Sequence, residues 1–112
     1  MSSRFAQTPE PPYYAVIFTS QRTQGDHGYD AMAQAMHTLA LEQPGCLGAE
    51  STRDAAGLGI TVAYFRDEAA IKAWREHARH LTAQCLGKER WYSHYALRVA
   101  KVERAYEGPE GR

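Results

Sequence analysis

Gly59-Ile60-Thr61-Val62-Ala63-Tyr64-Phe65-Arg66-Asp67-Glu68-Ala69-Ala70-Ile71-Lys72-Ala73-Trp74 contains the change of period that decides the fold. β-Branched and aromatic residues fill Gly59 to Phe65, the composition of a strand. At Asp67 the pattern changes: its carboxylate is a good N-cap, and Glu68 suits the first turn of a helix. Onward to about Cys85, Ala70, Ile71, Trp74, His77, Ala78, Leu81 and Cys85 fall on one stripe at helical spacing. Lys72, Glu76 and Arg79 face away from it, and Gly87 breaks the helix. A strand running straight into an amphipathic helix is half of a βαβ-type unit.

Working outward, Tyr13 to Arg22 reads as another strand, rich in Tyr, Val, Ile and Thr. Tyr29 to Gln43 carries a helical period in Met32, Met36 and Leu39, and Pro44-Gly45 stops it. Cys46 to Arg53 is a weaker strand, and Asp54-Ala55-Ala56-Gly57 is a turn. Tyr95 to Tyr106 reads as the last strand. The order strand, helix, strand, strand, helix, strand predicts an α+β, ferredoxin-like βαββαβ domain: a four-stranded antiparallel sheet with both helices on one face. The domain spans residues 13–107. Residues 1–12, with Pro9, Pro11 and Pro12, form a flexible arm, and 108–112 a flexible tail.

In that topology the first and third strands are central, and here both are apolar on both faces. Tyr14, Val16 and Phe18 oppose Ala15 and Ile17; Ile60, Val62 and Tyr64 oppose Ala63 and Phe65. Two helices cover one face only. A second copy pressed against the open sheet face is the simplest cover, so the sequence predicts a homodimer.

Thirteen basic residues balance thirteen acidic ones, which removes the electrostatic footprint of a nucleic-acid or anionic-membrane binder. No apolar run reaches the length of about 20 residues that a bilayer demands. Nor does the N-terminus carry a secretion signal, so the expected compartment is the cytoplasm. Cys46 and Cys85 match no redox or zinc spacing. Glycine-rich phosphate loops and dinucleotide fingerprints are absent from the sequence.

Trp74 and His77, three residues apart, carry most of the candidate chemistry. With Tyr64 they would form a pocket between the second helix and the sheet for a flat aromatic molecule. His77 would act near neutral pH on a phenolic proton. Thr19 or Ser20, ending the first strand, would supply a hydroxyl, and His80 and Leu81 would line the same space. The competing reading makes Trp74 plain core and His77 a boundary histidine bonded to a carbonyl. His77 with His80 does not make a metal site: three residues turn the side chains about 60° apart, and no third ligand is placed.

Pro44-Gly45, the Gly59–Phe65 strand and Asp67–Trp74 together resemble the antibiotic biosynthesis monooxygenase family. His77-Ala78-Arg79-His80-Leu81, Arg90-Trp91-Tyr92 and Val102-Glu103-Arg104-Ala105-Tyr106 look like an uncharacterised bacterial branch of it. The resemblance covers about residues 13–106 and implies a dimeric α+β barrel. It also implies a monooxygenase that oxidises small phenolic or quinol-like compounds with no bound cofactor, in a pocket between sheet and helices where the stripe puts the catalytic candidates Trp74 and His77. A non-catalytic small-molecule binding or stress-response module on the same fold is the alternative. Haem degradation is a second one, for which Trp74 fits the family pattern; Gln84 stands where a histidine is wanted, and Thr19 and Ser20 stand where an asparagine is.

Overall fold

The computed structural model describes residues 4–23, 29–84 and 92–109, apart from the side chains at 29–33, 36, 78–84, 92 and 93. Six elements appear in the predicted order: β1 (Tyr13–Arg22), α1 (Tyr29–Glu42), β2 (Cys46–Arg53), β3 (Leu58–Phe65), α2 (Glu68–Gln84) and β4 (Tyr92–Val102). The strands form one antiparallel sheet in the order β2-β3-β1-β4, which puts β1 and β3 in the centre. This is the ferredoxin-like α+β fold that the sequence predicts.

Local chemistry explains the joints. The Asp67 carboxylate accepts from Ala70 N at 2.8 Å and caps α2, supplying one of the acceptors that a helix start otherwise lacks. Arg66 lies 3.5 Å from that carboxylate, but both side chains are at least half exposed and the pair adds little. In the β2–β3 turn, Asp54 Oδ1 accepts from Ala56 N at 3.0 Å and Leu58 N at 2.9 Å. An aspartate that binds its own loop in this way fixes the hairpin.

Gly45, just before β2, has φ +88°, and its carbonyl accepts from Arg66 N at 2.7 Å. A Cβ at Gly45 would sit 2.7 Å from Ala70 Cβ, so this joint presses directly on the first turns of α2. Gly45→Ala combines left-handed backbone strain with that overlap and is expected to lower stability by about 2 kcal/mol or more. A urea unfolding curve, with its slope unchanged, is the measurement.

The two ends of β4 differ from the sequence expectation. The strand begins at Tyr92 rather than Tyr95 and stops at Val102 rather than Tyr106. Its length is set by its partner: Tyr92 pairs with Arg22 and Val102 with Tyr13, the two ends of β1. An edge strand holds its form only where a neighbour offers hydrogen bonds.

The helices pack on one face over β1, β2 and β3, while Tyr95, Leu97 and Val99 of β4 share that alternation and stay 60%, 41% and 48% exposed. Val16, Ala63, Phe65, Ala70 and Ile71 form the buried core, with Tyr14, Cys46, Ala49 and Trp74 packed against it. On the sheet these residues belong to one alternation: Tyr14 pairs with Phe65 and Val16 with Ala63, which in turn pair with Cys46 and Ala49. The other alternation forms the open face. It includes Ala15, Ile17 and Thr19 on β1, opposite Tyr64, Val62 and Ile60 on β3. Leu58 and Ile60 on that face remain 47% and 44% exposed in the single chain.

Candidate functional site

Trp74 projects from the second turn of α2 into the helix-covered face, its ring 5.8 Å from that of Phe65 at an interplanar angle of 44°. Phe65 is fully buried, so one wall of this position is rigid. The Trp74 indole nitrogen is itself buried, and among the described residues no acceptor reaches it. A buried N–H without a partner costs about 1–3 kcal/mol and is the kind of group that a bound oxygen atom would satisfy.

Of the other predicted site residues, Tyr64, Thr19 and Ser20 do not gather around Trp74. His77 is exposed. The buried stripe of α2 is centred between Ala70, Ile71 and Trp74, and at 100° per residue His77 falls about 65° from that centre. A polar ring on such a flank turns to solvent. The side chains of His80 and Leu81 lie outside the described residues, as do Cys85 and the segment 85–91 with Arg90 and Trp91.

Tyr64 corrects the expected pocket more sharply. Being of opposite alternation to Ala63 and Phe65, it points to the open face and does not share a chamber with Trp74. Its hydroxyl donates to Glu50 Oε1 at 2.7 Å, and its ring meets Tyr13 edge-on at 5.8 Å. Burial, then the hydrogen bond and charge of Glu50, push the Tyr64 phenol up from 10.0 to about 12. A raised phenol pKa favours the native state below pH 10, and that contribution fades as pH rises toward 12. Alkaline unfolding of Tyr64→Phe is therefore expected to be less steep than that of the wild type across this window, as followed by circular dichroism.

Thr19 also lies on the open face, opposite Ile60. Ser20 lies on the helix-covered side but at the far end of the sheet, opposite Gly59, roughly 20 Å along β3 from Phe65 at about 3.3 Å per residue. Ser20 is 2% exposed and its hydroxyl accepts from Arg53 Nη2 at 2.8 Å, while Arg53 Nη1 donates to the Ser20 carbonyl at 3.2 Å and also to the Gly57 carbonyl. The guanidinium lies over Gly59, where a Cβ would come within 2.5 Å of it. Ser20 thus holds Arg53 in place, and the two hydroxyls at the end of β1 face opposite ways.

Sequence reasoning missed both Glu50 and Arg53. Each marks a polar position in the weak strand β2, and for Arg53 the glycine across the ladder was the available signal. Among the described residues no group of histidine, cysteine, aspartate and glutamate is arranged to hold a metal ion. An open, shallow depression on α1 is lined by Gln34, Ala35, Thr38, Leu39 and Glu42, with no predicted site residue among them.

This architecture matches a known family. The family model for antibiotic biosynthesis monooxygenase fits residues 16–85, from β1 to the end of α2. The chain belongs to this family. A relative from Bacillus subtilis (strain 168), named "Uncharacterized protein YqjZ", is 51% identical over 104 residues, covering 93% of this chain and 91% of its own. Among solved structures, PA3566 from Pseudomonas aeruginosa superposes with a TM-score of 0.65 at 17% identity, covering 87% of this chain and 98% of that one. SnoaB, a cofactor-independent oxygenase from Streptomyces nogalater, superposes with a TM-score of 0.62 at 11% identity, covering 83% and 95% respectively. At such identities the likeness of these two structures is one of fold. The family fold is typically dimeric, and no helix among the described residues is long and apolar enough to cross a membrane.

Proposed function

We propose that this family member is a cofactor-independent monooxygenase, active as a cytoplasmic homodimer on a small phenolic, quinol-like compound. The observation that carries the reading is the buried indole N–H of Trp74, unpartnered among the described residues, beside the fixed ring of Phe65. An aromatic substrate entering beside α2 would pack on Trp74, which Phe65 backs, and its phenolic oxygen would accept from Trp74 Nε1. A hydrogen bond to that oxygen favours the phenolate, which is the electron-rich form. The phenolate gives one electron to dioxygen, and the two radicals recombine at the ring. Loss of water then leaves one oxygen atom in the quinone and carries off the other. Atoms balance as phenol plus dioxygen giving quinone plus water.

His77, on the solvent-side flank three residues beyond Trp74, takes the phenolic proton in this scheme. Because solvent reaches the same ring, His77→Ala is expected to lower kcat only about tenfold, below the effect usual for an enclosed base. An exposed side chain leaves the melting temperature unchanged. Unaltered turnover in that variant would remove His77 from the mechanism.

Oxygen uptake with a panel of hydroquinones and naphthols tests the activity itself. Quinone formation matched to oxygen consumed, without added flavin or metal, supports the oxygenase. Saturable binding with no uptake would assign the chain to the non-catalytic binding modules instead.

A further inference from the structure

The arm, residues 4–12, precedes β1 and lies against the sheet. Ala6 N donates to Glu50 Oε2 at 2.9 Å, while the other oxygen of the same carboxylate takes the Tyr64 hydroxyl at 2.7 Å. Tyr13 OH donates to Thr8 Oγ1 at 3.1 Å. Gly48, with no side chain, leaves room for this approach: a Cβ there would lie 3.0 Å from Ala6 Cβ. Gly48, Glu50, Tyr64 and Tyr13 all belong to the open-face alternation. The arm therefore crosses the β2 side of that face, and Tyr13 is only 4% exposed.

The hold is local. Ala6, Thr8 and Pro11 are half-buried, and the other residues from 4 to 12 are exposed. A segment with so little buried surface opens for much less free energy than the whole domain. Pro9, Pro11 and Pro12 restrict the backbone of the open form, so less entropy is lost when it closes. Both oxygens of Glu50 are used, one by the arm and one by Tyr64. Tyr64, whose ring meets Tyr13 edge-on, thus fixes the carboxylate that receives Ala6.

We propose that residues 4–12 are a strap that opens and closes as a local unit over this part of the face. Glu50 is its latch, and Tyr64 is the positioning residue that sets the latch. Opening bares Tyr13 and the Glu50–Tyr64 pair. The device is independent of the oxygenase reading and of any second copy of the chain.

Hydrogen exchange of the Ala6 amide, followed by NMR in the full chain, reads the opening. The Val16 amide, in the middle of β1, is the reference for the fold. Glu50→Ala is expected to lower Ala6 protection about tenfold or more, the scale of a lost hydrogen bond to a charged group. Tyr64→Phe is expected to lower it about threefold or more, and to add nothing in the Glu50→Ala background, because it acts on the strap through the carboxylate. Val16 stays protected in each variant. Wild-type protection of Ala6 in Glu50→Ala would overturn the latch, and an equal loss from Tyr64→Phe in both backgrounds would overturn its positioning role. Exchange at Val16 that rises in step with Ala6 would show that no separate strap exists. Ala6 protection that climbs with protein concentration would assign it to self-association and overturn the strap as well.

Discussion

Phe65→Ala is expected to lower the unfolding free energy by about 3–5 kcal/mol, the usual range for removing a buried aromatic ring from a well-packed core. Phe65 is fully buried and central: it pairs with Tyr14 and Cys46 on the two flanking strands and packs against Trp74 on α2. Little around it can move into the space. Backbone hydrogen bonds of the central strand hold Tyr14, and Arg66 N bonded to the Gly45 carbonyl holds the end of β3 against the start of β2. The cavity would stay open, so the cavity cost adds to the lost transfer energy. Domains of this size have about 5–15 kcal/mol in total, so the variant would sit near the threshold of folding at ambient temperature. Urea unfolding monitored by tryptophan fluorescence measures the loss; a change under about 1.5 kcal/mol would show that this core can collapse around the gap.

Trp74→Phe is expected to reduce oxygenation about 10²–10³-fold while hardly altering stability. Phenylalanine keeps an aromatic ring against Phe65, so much of the packing survives. It removes the buried indole N–H, which has no acceptor among the described residues and whose loss therefore relieves a cost in the free chain. If that N–H binds a phenolate oxygen as charge develops there, its loss resembles the removal of one oxyanion donor. The effect should fall on kcat more than on KM, since the bond strengthens as the oxygen becomes charged. Oxygen-electrode kinetics with the best hydroquinone, alongside a thermal melt of the same sample, separates the two outcomes. An active Trp74→Phe enzyme with wild-type kcat would make Trp74 core only.

Much of the fold was legible because the signals were local. The switch at Asp67 from a strand composition to helical spacing, the Asp67 cap and the Pro44-Gly45 stop each lie within a few residues of the structure they set. β1 and β2 match the predicted bounds, and both helices fall within a residue or so of theirs. The ends of β4 were less legible, since they depend on where β1 offers hydrogen bonds far away in the chain.

The candidate site was legible only in part. Alternation in Gly59–Phe65 already placed Tyr64 with Val62 and Ile60, opposite Phe65. Because β3 is apolar on both faces, nothing in that segment tells which face the helices cover. The register with β1 and β2, and the packing of Trp74 on Phe65, decide it. Glu50 illustrates the same limit: its carboxylate joins Ala6 and Tyr64, partners 44 and 14 residues away that no local pattern links.

By itself the sequence determined the order of the six elements, the amphipathic stripe carrying Trp74 and the two-sided apolar character of the central strands, since periodicity and capping act over a few residues. Only the tertiary structure decided which strand face meets the helices, that Tyr64 and Trp74 lie on opposite sides of the sheet, and that the arm is tied down by Glu50. Those outcomes follow from hydrogen-bond register and close packing between distant segments, and these exist only once the chain has folded.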